Sequence, residues 1–348
     1  MLLLLSMAAF ADETPPVVDV DPVALLQLWG TAYDMDENVQ ADSTGYGDPE
    51  DDPGVKVKRA RLGLRAQSGA FTARLAGGAG ASYDAWDEDH ADFALYEASI
   101  QWERKWFSVE AGLQRTPFSR DNLMPSGELT FEERGIAAEH VSEDRGMGIV
   151  ARARGAGVTG QLGVFNSGYT PFGDDNAGKA LVARAEYQLG DRDTYALWGG
   201  KEGFGLGVGA SGMYEMDVAT NTVAAELDAV VRAGPLSVLA EGSYATVTPT
   251  ATDVAAAGVW DPTTRLGVTG EVNVGVGRFQ PAARVSWFSD SALGSWTQLL
   301  GGVVAHVGPA GNNDLVRVGA GYVLRLESDP VPNDTVRLWG QFWLKRKG

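Results

Sequence analysis

The sequence predicts an all-β fold, a transmembrane antiparallel β-barrel of about sixteen strands with an inward-folded third outer loop. Three observations predict it. Candidate strands alternate polar and apolar residues with period two along most of the chain. Their apolar side is free of charge, whereas their polar side is rich in Arg. The connections alternate between short and long. A soluble sandwich would share the first observation. It would turn its apolar side inward and has no reason to segregate its loops by length.

The chain has 348 residues, 45 Gly, no Cys and a formal net charge of −18. Its first residues are Leu-rich and then small, ending Ala9-Phe10-Ala11 before Asp12. That is the pattern of a signal-peptidase site, although no Lys or Arg precedes the Leu run. Residues 1–11 are therefore expected to be a signal peptide and 12–348 a single barrel domain. Absence of Cys suits an exported protein and excludes thiol catalysis and Cys-based metal sites. His90, His140 and His306 lie far apart, which argues against a His metal cluster. No metal or cofactor is expected.

The first strand is expected over Val23 to Tyr33, followed by an acidic Gly/Pro-rich loop from Asp34 to Gly54. The next, Arg59 to Ala66, has the clearest alternation: Arg and Gly at odd positions, Ala and Leu at even ones. One face of it is basic and the other apolar. Gln67-Ser68-Gly69 turns into Phe71 to Leu75, and Asp84 to Asp92 is a second acidic loop. Ala94 to Trp102 turns on Glu103-Arg104-Lys105 into Trp106 to Ala111. Trp102, Trp106 and Phe107 crowd that turn, as an interfacial aromatic girdle requires.

Further strands are expected over Arg145 to Arg154, Val158 to Phe165, Lys179 to Gln188, Phe204 to Tyr214 and Thr222 to Arg232. Leu236 to Ala245, Arg265 to Val276, Phe279 to Phe288, Trp296 to Val307, Leu315 to Leu326 and Val336 to Leu344 complete the set. The connection Gly190 to Glu202 is long on the short side. It could hide a strand in Tyr195-Ala196-Leu197-Trp198, which would make the count about eighteen.

Arg115 to Asp144 is a long irregular insert between two alternating segments, a pattern that is usually functional. It is expected to fold into the barrel and narrow the pore. Its charged residues are Arg115, Arg120, Asp121, Glu128, Glu132, Glu133 and Arg134 among others. Thr130 with Glu133 fits a capping box and predicts a short helix starting there.

The acids crowd the outer loops, whereas the lumen side carries Arg59, Arg61, Arg65, Arg74, Arg152, Arg154, Arg184, Arg284, Arg317, Arg325 and Arg337. Lumenal acids are fewer: Glu97, Glu110, Glu186, Glu226, Asp228, Glu241 and Glu271. The arginines stay charged at any working pH. They either solvate a wet wall and pair with the acids, or act with the mixed-charge insert to create a field across the pore. Arg59, Arg61 and Arg65 share one face and form a ladder. No catalytic constellation stands out, so no enzyme is expected, and an acidic chain opposes nucleic-acid binding.

The runs Arg59 to Gly63 and Gly112 to Ser119 resemble the phosphate-selective porin O and P family. So do Glu133-Arg134, Asp144 to Gly148, Gly163 to Gly168 and Ala183 to Tyr187. The resemblance covers roughly residues 55–190; the C-terminal half matches in barrel pattern alone. It implies a sixteen-stranded outer-membrane porin of a Gram-negative bacterium, trimeric, with a constricting third loop. The family's phosphate specialists carry basic residues on that loop, and the acids here depart from them. The expected function is passive diffusion of small hydrophilic solutes, anionic and phosphate-like, through a water-filled pore. Lipid, lipopolysaccharide and two further copies of the chain are the expected partners. The alternative is a plugged, non-transport barrel with a structural or adhesive role.

Overall fold

Alternation of polar and apolar residues yields sixteen strands whose two faces meet different surroundings. In the computed structural model, the described residues are 18–33, 54–79, 93–141, 145–167, 177–191, 193–198, 203–217, 219–250, 261–309, 315–327 and 334–344. The expected signal peptide, the acidic loops after Tyr33 and Ala79, and most of the stretch after Thr250 lie outside them. The first eight strands are β1 (Asp19–Tyr33), β2 (Gly54–Ser68), β3 (Phe71–Ala79), β4 (Ala94–Arg104), β5 (Phe107–Arg115), β6 (Arg145–Gly155), β7 (Val158–Asn166) and β8 (Lys179–Gly190). The second eight are β9 (Phe204–Met216), β10 (Thr220–Ala233), β11 (Leu236–Pro249), β12 (Thr263–Val274), β13 (Phe279–Asp290), β14 (Gly294–His306), β15 (Val316–Glu327) and β16 (Thr335–Leu344). Two short helices, α1 (Arg120–Leu123) and α2 (Ile136–Val141), lie between β5 and β6.

Each strand pairs antiparallel with its sequence neighbours, and β1 pairs with β16 from Ala24↔Leu344 to Tyr33↔Thr335. The sheet is thus a closed barrel without free edges. Its sidedness is plain on β10: Leu227 is 69% exposed between Glu226 at 2% and Asp228 at 4%. Leu62 is 74% exposed in the same way on β2. A continuous apolar exterior around an ionic interior is the inverse of a water-soluble core, and it suits lipid outside and water within.

Two irregularities matter for the lumen. Opposite the Gln27/Leu28 step of β1, β2 carries one extra residue, so Arg59 pairs with Gln27 and Val57 with Leu28. Such a bulge breaks the period-two rule locally. Lys58 and Arg59, adjacent in sequence, both point inward: Lys58 toward Glu133 and Arg59 onto Gln27. A second bulge sits in β4, where Glu97 pairs with Ala76 but Leu95 with Gly77, leaving Tyr96 as the extra residue.

The rims bear out the strand count and correct two other expectations. Tyr195 to Trp198 form no strand, so the count is sixteen. The asymmetry of the connections is partial. On the rim that bears the 116–144 segment, 217–219 and 291–293 are short; on the opposite, turn rim, 307–315 is a second longer connection. No helix starts at Thr130: its hydroxyl donates to Asn273 Oδ1 (3.0 Å) and Glu133 is held by Arg337. Glu132 also has φ +60°, a left-handed backbone that interrupts a helix, so α2 begins at Ile136 instead.

Candidate functional site

Residues 116–141 lie against the inner wall. An irregular chain there has carbonyls with no ladder partner, and these need donors. A guanidinium supplies five N–H donors and no acceptor, so an Arg-rich wall suits such a chain. Arg317 donates to the carbonyls of Gly127 (2.5 Å) and Leu129 (3.1 Å). Arg59 donates to the Glu132 carbonyl (2.6 Å) and Arg284 to that of Glu133 (2.6 Å). Gln341 and Gln27 donate to the carbonyls of Gly127 (3.0 Å) and Ser126 (3.2 Å). Each bond from a charged donor contributes about 1.5–3 kcal/mol. Close approach also needs small residues: a Cβ on Gly135 would sit 2.4 Å from Thr269 Oγ1.

The acids of the segment turn to the wall as well. Glu132 accepts from Trp29 Nε1 (2.5 Å). Glu133 pairs with Arg337 and lies 3.9 Å from Lys58. Lys58 and Arg337 flank the Trp29 ring at 4.3 and 3.8 Å. Asp121 Oδ2 accepts from Gly135 N (2.6 Å), an internal brace of the segment. Burial pushes the Glu132 carboxyl up to about 8, against Trp29 and the charges of Arg317, Arg59 and Arg337. Burial also opposes ionisation of Glu133, but Arg337 and Lys58 outweigh it and hold that group down at about 2. Glu128 is half-buried, its amide on the Pro125 carbonyl (2.8 Å).

Helix α1 is anchored to β10 and β11. Ser119 caps it, accepting from Asn122 N (3.2 Å), and donates to Glu241 Oε1 (2.5 Å). Arg120 is fully buried, hydrogen-bonded through Nε to Asp228 and 3.3 Å from Glu186. Arg184 completes the network, 2.6 Å from Asp228, 3.1 Å from Glu226 and 3.3 Å from Glu186. The inward position beside it on β9 is Gly209, where a Cβ would stand 2.3 Å from Arg184 Nη2. Phe118, Ile136 and Val141 pack on Val150, Phe165, Phe288 and Trp296, and Phe131 on Leu300 and Val323.

The segment divides the lumen unequally. It covers the wall from β9 round to β2 and, at its own rim, packs on Val150, Phe165 and Val182 of β6 to β8. Along β3 to β8 a cavity of about 500 Å³ remains. Pro117, Leu123 and Pro125 bound it on the segment side; Arg74, Arg152, Glu97 and Glu110 on the wall side. Glu110 accepts from Arg74 (2.9 Å) and Arg152 (2.6 Å). Arg115 and Arg145 border the same space. Arg115 donates to the carbonyls of Asn122 and Met124, Arg134 to those of Asp121, Asn122 and Met124, and Arg145 to that of Tyr96. Arg61 lies over the Tyr96 ring at 3.9 Å and donates to Ser126 Oγ (3.2 Å), within repelling range of Arg59, Arg134 and Arg145.

The arginines read as one pore-lining set therefore fall into distinct places. Arg59, Arg284, Arg317 and Arg337 hold the segment, and Arg184 sits in the buried ion network. Arg325 donates to Thr335 Oγ1 (2.5 Å) on the neighbouring strand. Arg74 and Arg152 face the cavity. Arg65 is 4.0 Å from Asp21, and Arg154 pairs with Glu103 (3.1 Å) near the turn rim. The expected ladder of Arg59, Arg61 and Arg65 is interrupted: one holds the segment, one borders its edge, and one approaches an acid of β1. Lys58, and Lys56 at 5.6 Å over the Trp29 ring, could not be placed from sequence because the bulge hides their facing. Arg145, together with Asp193 and Tyr195, which also line the cavity, could not be placed either, because strand ends and irregular connections carry no periodic signal.

Residues 33–191 match the family model for phosphate-selective porin O and P. A search of curated proteins gives no match. Among solved structures, the chain resembles OmpT (in-vitro folded), an outer membrane protein of Vibrio cholerae, in its trimer form. The identity is 11%, the TM-score 0.65, and the coverage 94% of this chain and 100% of that one. An anion-selective porin from Comamonas acidovorans gives 12% identity, TM-score 0.64 and coverage of 94% and 100%. The outer membrane channel DcaP of Acinetobacter baumannii gives 12%, 0.61, and 96% and 99%. At these identities the likeness is one of fold. Family match and fold agree with the resemblance read from the sequence. They support a passive porin role at the outer membrane and point to a channel rather than an enzyme.

Proposed function

We propose that this chain is a porin whose open half-lumen passes small hydrophilic solutes with a preference for anions of the phosphate type. The supporting observation is how charge is divided across the 116–141 segment. Of its five acids, Asp121, Glu132 and Glu133 are engaged with the segment itself or the covered wall, and Glu128 and Glu139 do not line the cavity. Arg115 borders the cavity, near Arg61, Arg134 and Arg145. The mixed charge that set the loop apart from basic family members thus reaches the channel mainly as positive charge. Glu97, Glu110, Glu186 and Asp193 line the same cavity opposite Arg74, Arg115, Arg145 and Arg152, so the preference rests on the end near Arg61, Arg115 and Arg145 and is moderate. A site of this kind gives weak, repeated attraction, which lets an ion both enter and leave.

In the cell the working unit is proposed to be a homotrimer in a bilayer containing lipopolysaccharide, with 12–348 as one domain after removal of a signal peptide. The deciding experiment is planar-bilayer recording of the purified protein in a salt gradient. Ohmic steps with a reversal potential on the anion side, and block by added phosphate, carry the proposal. Cation selectivity defeats its anion part. A silent, folded barrel favours the plugged structural reading, to which the extent of filled lumen gives some support.

A further inference from the structure

Residues 193–198, between β8 and β9 on the turn rim, lie inside the barrel and meet the 116–141 segment. Leu197 is fully buried among Met124 and Leu129 of that segment and Val230 and Leu239 of the wall. Arg232 donates to the carbonyls of Asp193 and Trp198, and Arg120 to Thr194 Oγ1 (3.2 Å). The Tyr195 hydroxyl donates to Glu186, and the ring lies 4.7 Å from the Arg120 guanidinium. Trp198 stacks on His306 with centroids 4.1 Å apart, and His306 Nε2 is 2.9 Å from Gln280, which reaches Thr130 (3.4 Å). A chain merely crossing the rim would need none of these contacts. Non-strand backbone at membrane depth persists only where protein buries it or where it lines a water-filled space.

We propose that residues 193–198 are a second constriction element, one that props α1 from below and tunes ion preference through Asp193. The proposal rests on the porin reading above. Asp193 is exposed and borders the same cavity as Arg74 and Arg152; its Oδ1 accepts from Tyr195 N (2.8 Å), so the acid is held at the cavity edge. A fixed carboxylate there adds to Glu110, which already pairs with Arg74 and Arg152, and lowers the attraction of the turn-rim half for anions. Solutes therefore meet two zones in series: a cationic one near Arg61, Arg115 and Arg145, then one where Glu97, Glu110, Glu186 and Asp193 outnumber Arg74 and Arg152.

Because the chain has no Cys, single thiols report position cleanly. In the folded, full-length protein, Leu197→Cys should resist a small water-soluble thiol reagent that modifies Asp193→Cys. In bilayers, replacing 193–198 by six Gly/Ser residues should raise unitary conductance and open-channel noise, and Asp193→Asn should move the reversal potential toward anions at low salt. Equal modification of the two thiols overturns the docking. An unchanged conductance in a Gly/Ser variant that retains heat-modifiable barrel migration overturns the constriction role. An unchanged reversal potential in Asp193→Asn overturns the tuning role. If the Gly/Ser variant does not fold, Tyr195→Phe, which removes the bond to Glu186, should raise channel noise; wild-type noise then counts against the prop. A silent wild type defeats the porin reading, whereas the thiol pair still decides the docking.

Discussion

The two halves of the lumen carry the same residue types and use them differently. From β9 round to β2, arginines end on carbonyl oxygens of the inward segment, as Arg317 does on Gly127 and Leu129. Across the open space, on β3 and β6, Arg74 and Arg152 end on the carboxylate of Glu110 at the cavity edge. An inward guanidinium is thus not by itself a solute ligand. What faces it across the lumen decides whether its donors meet a protein carbonyl, a wall acid or a passing ion.

Removing the difference between the halves should produce the largest effect. Deletion of 121–134 uncovers Arg59, Arg284, Arg317 and Arg337, so unitary conductance should rise and selectivity move toward anions. An unaltered conductance in a folded deletion variant would place the segment outside the conduction path. Next in size is the anchor. Arg120→Ala leaves Asp228 and Glu186 buried with one fewer countercharge, and loss of a buried ionic partner costs on the order of 3 kcal/mol. Urea unfolding should register the loss, together with noisier channels; wild-type stability would show that Arg184 alone neutralises the cluster.

A finer comparison substitutes one arginine at a time. Arg61→Gln and Arg145→Gln, beside the channel, should shift the reversal potential toward cations. Arg284→Gln and Arg317→Gln, under the segment, should leave it in place while increasing noise. The shifts should shrink between 0.1 M and 1 M salt, as the Debye length falls from about 10 Å to about 3 Å. Equal shifts for all four variants would erase the distinction between the halves.

The smallest effect concerns pH on the covered side. Glu132, raised to about 8 by burial, stabilises docking fully below the ordinary carboxylate range, and that stability is lost as pH rises through about 8. Glu133, held at about 2 by Arg337 and Lys58, contributes above the ordinary range and loses its contribution as pH falls toward 2. Channel noise should therefore grow at both extremes. Glu132→Gln should abolish the alkaline limb and leave the acidic one; an intact alkaline limb would assign it to another group.

The sequence by itself determined the barrel. All sixteen strands were legible because side-chain alternation is local and lipid tolerates no charge on the outer face; the Arg59 to Ala66 run and the flanks of the 115–144 insert show this most clearly. Local signals misled where a partner was distant. The Thr130/Glu133 pair read as a helix cap because the claims of Asn273 and Arg337, far along the chain, are invisible in sequence. Only the tertiary structure decided that Lys58 shares a face with Arg59, since a bulge is set by the opposing strand. It likewise decided which arginines meet open space. Barrel closure brings β10 to β16 against a segment that precedes them by a hundred residues or more, and spacing along one strand cannot say what lies across a pore.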